Sequence, residues 1–164
     1  MATTAAPKPS PEKIFGTLTA YQQTFALKAA VELDLFTAIG EGANDTASLA
    51  KRTQSAERGV RILADYMAIQ GLLRKENDRY FLTQDSAVFL DKRSPAYMGA
   101  MADFLASEEN LHTFSALAAS VRKGGTTSHI GDNSKPVDDR WVGFARSMGS
   151  MAAPMAGVLA QQVN

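Results

Sequence analysis

The sequence predicts a mainly α-helical protein organised on a winged helix-turn-helix, with a small β-hairpin as its wing. Three observations carry this. The stretch from Thr46 to Thr83 reads as a short helix, a turn, a longer helix and a hairpin, in that order. Apolar residues elsewhere recur at spacings of three and four, the helical period. Polar, proline and glycine punctuation such as Ser10-Pro11, Ser94-Pro95 and Gly124-Gly125 divides the chain into helix-sized pieces.

The first ten residues, MATTAAPKPS, lack the apolar centre of a signal peptide and read as a disordered tail. Ser10-Pro11 starts the first helix, with serine as cap and proline at the first helical position. Ile14, Leu18, Tyr21 and Phe25 then line one face, and Leu27, Ala30, Val31 and Leu35 continue on a displaced face. Two surfaces are implied. Either both belong to one core, or the first half packs on another copy. The second reading is expected, because the rest of the chain offers that face no obvious partner. Asp34 opens a short further helix over Leu35 to Ile39, ending at Gly40.

In the central stretch, Asp45 or Thr46 caps the first helix and Thr53-Gln54 make the turn. Ser55 is expected to cap the second helix, with Glu57 in its first turn, where the helix dipole favours negative charge. Gly71 follows it as a C′ glycine. Leu72-Leu73 and Tyr80-Phe81-Leu82 read as strands around a polar tip, Arg74 to Arg79. Thr83 to Ser86 start another helix, and Ser94-Pro95 opens one over Ala96 to Ala106. Ser107-Glu108-Glu109 begin a third, carrying Leu111, Phe114, Leu117 and Val121 to Gly124-Gly125. A loop over Thr126 to Asp138 leads to a last helical region with Trp141, Phe144, Met148, Met151 and Met155 on one face. Pro154 should kink or break it.

Composition narrows the function classes. The chain has 164 residues, 45% of them apolar, with 17 basic against 17 acidic side chains. No general attraction to nucleic acid or anionic membrane follows from that balance. Between Asp45 and Tyr80 there are seven basic and five acidic residues, a weak excess for a module that neutralises phosphates. The basic residues Lys51, Arg52, Arg58, Arg74, Lys75 and Arg79 read as a solvated face. The absence of cysteine excludes disulfides, thiolate metal sites and a cysteine nucleophile, and is compatible with a cytoplasmic protein. His112 and His129 stand too far apart for a helical metal pair and read as solvated or capping residues. No apolar run approaches membrane-spanning length.

A winged helix invites a DNA-binding reading, but the second helix argues against it. Val60, Leu63, Ala64 and Met67 form one apolar stripe; Ile62, Tyr66 and Ile69 form another nearly opposite. A helix apolar on two sides is expected to be buried on two sides, leaving too few free polar side chains to read base edges. The alternative of a winged-helix transcription regulator with a helical dimerisation or ligand-sensing extension is disfavoured on this ground.

The order of features resembles one family. LDLF (Leu33 to Phe36), LAKRT…RILADYMAIQGLL, RYFLTQDS (Arg79 to Ser86), a helix ending SVRKGG and a helix with WVGFARSM are together similar to the N-terminal portion of class I S-adenosylmethionine-dependent small-molecule O-methyltransferases. The resemblance runs from Pro11 to Val163 and rests on order and spacing, since each motif is mostly a packing pattern. It implies a winged-helix dimerisation domain over residues 11–92, flanked by dimerisation and pocket-lid helices. A helical linker and substrate-lid region over 93–164 would lead to a catalytic domain absent from this chain.

In that family a Rossmann-like domain holds S-adenosylmethionine and the catalytic base. No GxGxG occurs here; Gly124-Gly125 and Gly40-x-Gly42 follow helices and read as caps and turns. The expectations are therefore a homodimer through the N-terminal helices and a chain that alone binds no cofactor and is inactive. The full-length enzyme would methylate an aromatic or polyketide-like acceptor, without engaging nucleic acid or membrane. By resemblance Phe144 and Met148 match acceptor-pocket positions, Trp141 lies one turn earlier on the same face, and Tyr21 would reach into the partner's pocket. Packing alone explains each of these residues too. Ser147 stands where the family often has Ala, and Phe114 where it often has Trp, which bears on pocket size.

Overall fold

The computed structural model describes residues 9–125 together with Val142, Ala145, Met148, Gly149 and Ala152. These residues form a mainly helical fold with a single two-stranded antiparallel sheet.

Its centre is a helix of only six residues. α1 (Glu12–Glu32) leads into α2 (Leu35–Gly40) through Asp34, whose backbone is left-handed at φ 55°. Leu35, Phe36, Thr37, Ala38 and Ile39 are all buried. A short helix apolar on every side can only be stable inside a core, and α2 touches α1, α3 (Thr46–Arg52), α5 (Gln84–Phe89) and the second hairpin strand. Thr37, its one polar residue, is satisfied: its hydroxyl accepts the Lys92 N–H at 3.0 Å. Lys92 pairs with the Asp34 carboxylate, and Asp91 pairs with Arg93 at 2.6 Å. A Cβ at Gly40 would meet the Arg93 guanidinium and the Asp91 carboxylate, so the ion pair lies close against the end of α2 at a residue that has no side chain.

Around α2 the central stretch folds in the expected order. Asp45 caps α3 through a capping box with Ser48, at 2.9 Å to the Ser48 N–H. Thr53 and Gln54 turn the chain into α4 (Glu57–Ile69). Ser55 does not cap α4. The N-cap is Ala56, with no side-chain bond, and the Ser55 hydroxyl donates instead to the Thr53 carbonyl at 3.1 Å. At the other end Gly71 has φ 75°, as a C′ glycine should. The hairpin is longer than expected. β1 (Leu73–Glu76) pairs with β2 (Arg79–Leu82), so most of the presumed polar tip is strand. Asn77 and Asp78 alone make the turn, both with positive φ, the geometry of a two-residue I′ hairpin that these residue types tolerate.

Beyond the hairpin two helices are shorter than their patterns suggested. Thr83 caps α5, but Ser94-Pro95 sits in a turn, and α6 spans only Ala100–Leu105. The reason is tertiary: Met98 donates its N–H to the Phe89 carbonyl at 2.8 Å, which pins the segment before α6 to the end of α5. Ser107 caps α7 (Glu108–Ser115) as expected, but the helix breaks at Ala116 before α8 (Leu117–Lys123), which Gly124 ends at φ 75°. The expected kink near Pro154 lies outside the described residues.

Candidate functional site: an unpartnered helix face and an apolar cavity

α1 is half inside and half outside. At 1.5 Å per residue its 21 residues extend about 32 Å. Ala26 to Val31 turn inward onto the core, whereas residues 11–25 are exposed throughout. Ile14, Leu18 and Tyr21 retain 64, 66 and 59% of their surface, and Phe15 and Phe25 are also exposed. An apolar face of this extent marks an interaction surface. Among the described residues this face finds no partner, in line with the expectation. Tyr21 lies at its centre.

Where α1 turns inward it forms one wall of a cavity of about 490 Å³. Leu27 and Val31 face Phe89 and Leu90 at the end of α5 and Met101 and Leu105 of α6. The Lys28 ammonium fastens α1 to the end of α6 by donating to the Ala106 carbonyl at 3.1 Å. The walls are apolar, with Thr24, Asp85 and the buried Ser86 as polar members. Ser86 is occupied by its capping box with Thr83, so it offers the cavity little hydrogen bonding. Size and lining suit an apolar or aromatic group. The sequence showed Met101 and Leu105 as helical apolar positions; their meeting with α1 depends on the Met98–Phe89 clip, which has no sequence signal.

α4 departs from expectation. Val60, Ala64 and Met67 are buried, as their stripe required, but the opposite stripe is open: Ile62 is 51% and Ile69 79% exposed, with Tyr66 half-buried. Among the described residues α4 is buried on one side, where α1, α3 and β1 pack, and Ile62 and Ile69 on the other side stay exposed. The charges beside it are engaged. Asp65 accepts from the Tyr80 hydroxyl at 2.7 Å and from Lys75 at 2.8 Å, and pairs with Arg61 at 3.4 Å. Burial pushes the Asp65 carboxyl up, but the bonds from Lys75 and Tyr80 outweigh it and hold it below its ordinary value. Burial, reinforced by Asp65, raises the Tyr80 phenol.

The sign of the resulting pH dependence follows. A carboxylate held low in the folded state contributes stability above its unfolded pKa and loses it as pH falls through the folded value. Thermal melts from pH 6 to pH 2.5 should show a loss of stability beginning near pH 4, and Asp65→Asn should flatten that step. An unchanged acid limb in the variant would show that the network contributes nothing.

The expected site residues are not brought together among the described residues. Tyr21 stands on the open α1 face, Met148 is helical and partly exposed, and Trp141 and Phe144 lie outside them, as does His129. His112 is an exposed residue in the last turn of α7. Among the described residues no cluster of three His, Asp or Glu could hold a metal, and no helix is long and apolar enough to cross a membrane. The described residues hold one sheet, the hairpin, and Gly42, Gly71 and Gly124, their glycines with positive φ, follow helices rather than strands.

A compact helical core that leaves a long apolar helix face open is the signature of a module built to pair with another chain. Residues 15–92 match the family model described as the O-methyltransferase dimerisation domain. The chain is 32% identical over 106 residues to the tetracenomycin polyketide synthesis 8-O-methyl transferase TcmO of Streptomyces glaucescens, covering 64% of this chain and 31% of that protein. It is 44% identical to a candidate O-methyltransferase of Nostoc punctiforme PCC 73102, whose crystal structure superposes with a TM-score of 0.84 over 96% of this chain and 47% of that one. Human N-acetylserotonin methyltransferase, solved in complex with S-adenosylmethionine, shares the fold at 20% identity and a TM-score of 0.68, over 95% of this chain and 46% of that one. The chain thus spans a third to a half of the length of these relatives.

Proposed function

We propose that this chain is the dimerisation and acceptor-pocket portion of an S-adenosylmethionine-dependent O-methyltransferase acting on an aromatic or polyketide-like small molecule. The carrying observation is the open apolar face of α1 within the segment that matches the dimerisation family. Residues 11–92 act as a winged-helix dimerisation domain, with the hairpin as wing, and residues 93–164 as a lid leading towards a catalytic domain. TcmO's role in polyketide synthesis and the cofactor in the human structure support the acceptor class and the methyl donor.

The chain supplies apolar walls and dimer contacts. Its cavity between α1, α5 and α6 is one such wall, and Phe144, Met148 and Trp141 with Tyr21 of a partner copy supply another. Methyl transfer itself then depends on positioning the acceptor hydroxyl, to which these walls contribute, and on a base that removes its proton, which the catalytic domain would supply. The protein acts in the cytoplasm, without nucleic acid or membrane.

The rival regulator reading is disfavoured by the match to the dimerisation family rather than by burial of α4, whose outer side exposes Arg58 and Arg61 beside Ile62 and Ile69; Arg61, Lys75 and Arg74 are paired with carboxylates. Two titrations test the reading. Calorimetry with S-adenosylmethionine should give no binding to this chain, and fluorescence anisotropy with duplex DNA at micromolar protein should give no salt-dependent binding. Measurable cofactor affinity would contradict the placement of the cofactor site, and salt-dependent DNA binding would favour the regulator.

A further inference from the structure

We infer that the cavity between α1, α5 and α6 selects small molecules by their head group. It takes a flat apolar body that carries a protonated amine or a hydroxyl and turns away carboxylates, with Asp85 and Thr24 as the polar contacts. This rests on the reading that the cavity forms part of the acceptor pocket, and names the chemistry that the pocket accepts.

The cavity has two walls and an open end. On α1, Thr24, Leu27 and Val31 recur at i, i+3 and i+7; Gly99, Ala102 and Ala106 repeat that spacing across α6 and its two ends. At 3.6 residues per turn the α1 strip lies about 120° around the helix from the face of Ile14, Tyr21 and Phe25, so it is a different surface of the same helix. Val31 and Ala106 are buried, as is Gly99, and these form the floor. Thr24, Asp85, Phe89 and Leu105 are exposed and stand at the opening. Walls of small and aliphatic residues around 490 Å³ suit a body of roughly two or three flat rings, and Met98 and Met101 adapt to ring edges.

The polar groups at the opening are unspent. Thr17 and Thr19, on the outer half of α1, return their hydroxyls to the Lys13 and Phe15 carbonyls at 2.8 Å, as helical threonines commonly do. The Thr24 hydroxyl makes no such bond among the described residues, and the Asp85 carboxylate makes neither a hydrogen bond nor an ion pair among them. Lys28, one turn along α1 from Thr24, is committed to the Ala106 carbonyl at 3.1 Å and to Glu32 at 3.6 Å. Asp85 is thus the one charged group among the lining residues. An ionised carboxylate accepts hydrogen bonds and cannot donate them, so a head group that donates or is positive is favoured and an anion is repelled. Because Asp85 is exposed, the selection has the modest size of a surface ion pair.

Amide NMR titration of the 164-residue chain at pH 7 tests this with three probes of one shape: 2-naphthylmethylamine, 2-naphthol and 2-naphthoate. The amine and the naphthol should bind and shift the amides of Gly99 and Ala106 at the floor, the amine about fivefold more tightly than the naphthoate. Asp85→Asn should bring the amine and the naphthoate within about twofold of each other, and Thr24→Val should weaken the naphthol about threefold. Both positions are exposed, so both variants should stay folded, which circular dichroism checks. Equal affinity for all three probes, or a preference that Asp85→Asn leaves intact, would overturn the head-group selection. No binding, or shifts that spare Gly99 and Ala106, would overturn the ligand site itself. The methyltransferase reading stands or falls separately, with the S-adenosylmethionine and DNA titrations.

Discussion

Replacing Leu18 by arginine is expected to convert the dimer into monomers without reducing helix content. In the single chain Leu18 is two-thirds exposed, so the fold should change by no more than about 0.5 kcal/mol. In a dimer the same position lies between Ile14, Tyr21 and Phe25 on one helix face, and a guanidinium there would bring a charge into an apolar contact. Truncating or mispairing such a contact costs about 3 kcal/mol or more, a weakening of roughly 100-fold or greater. Light scattering of the variant at tens of micromolar, beside its circular dichroism spectrum, separates the two effects. A variant that is both monomeric and unfolded would show that Leu18 serves the protomer's core rather than an interface.

The second large effect falls on the smallest helix. Phe36→Ala should destabilise the chain by about 3–5 kcal/mol, through lost burial and the cavity left behind. Phe36 is 1% exposed at the middle of α2, where α1, α3, α5 and β2 converge, so no one neighbour can collapse into the space. Against an ordinary stability of about 5–15 kcal/mol this removes a large share. Phe36→Leu, which conserves shape better, should cost about 1–1.5 kcal/mol. Urea denaturation of the three proteins measures both differences. Equal midpoints for wild type and Phe36→Ala would mean that α2 is not the centre of the core.

Much of the fold was legible because local chemistry and tertiary environment agree. Asp45, Thr83 and Ser107 cap the helices that their types and positions announce, and Gly71 and Gly124 end helices with the positive φ that glycine permits. Where reading failed, a contact distant in sequence decided. Ser94-Pro95 looks like a helix start, but the Met98–Phe89 hydrogen bond and the Asp91–Arg93 strap on Gly40 hold that segment in turns. The centrality of α2 was hidden for a different reason: five apolar or small residues in a row carry no periodicity that says what surrounds them.

The functional surface was half legible. The α1 stripe was expected to lack a partner within the chain, and among the described residues it is exposed. The α4 stripe was expected to be buried, and within one chain it is open, because periodicity reports which faces are apolar and not whether the covering surface belongs to the same molecule. The cavity was not legible at all, since its walls come from α1, α5 and α6 and are assembled by contacts that no local pattern encodes.

The central claim is that the open face of α1 exists to pair two chains. Multi-angle light scattering of the wild-type chain across 1 to 100 µM tests it most directly. The account predicts a mass of twice the chain's 17.6 kDa at the upper concentrations; a mass of 17.6 kDa throughout, from a folded protein, would contradict it.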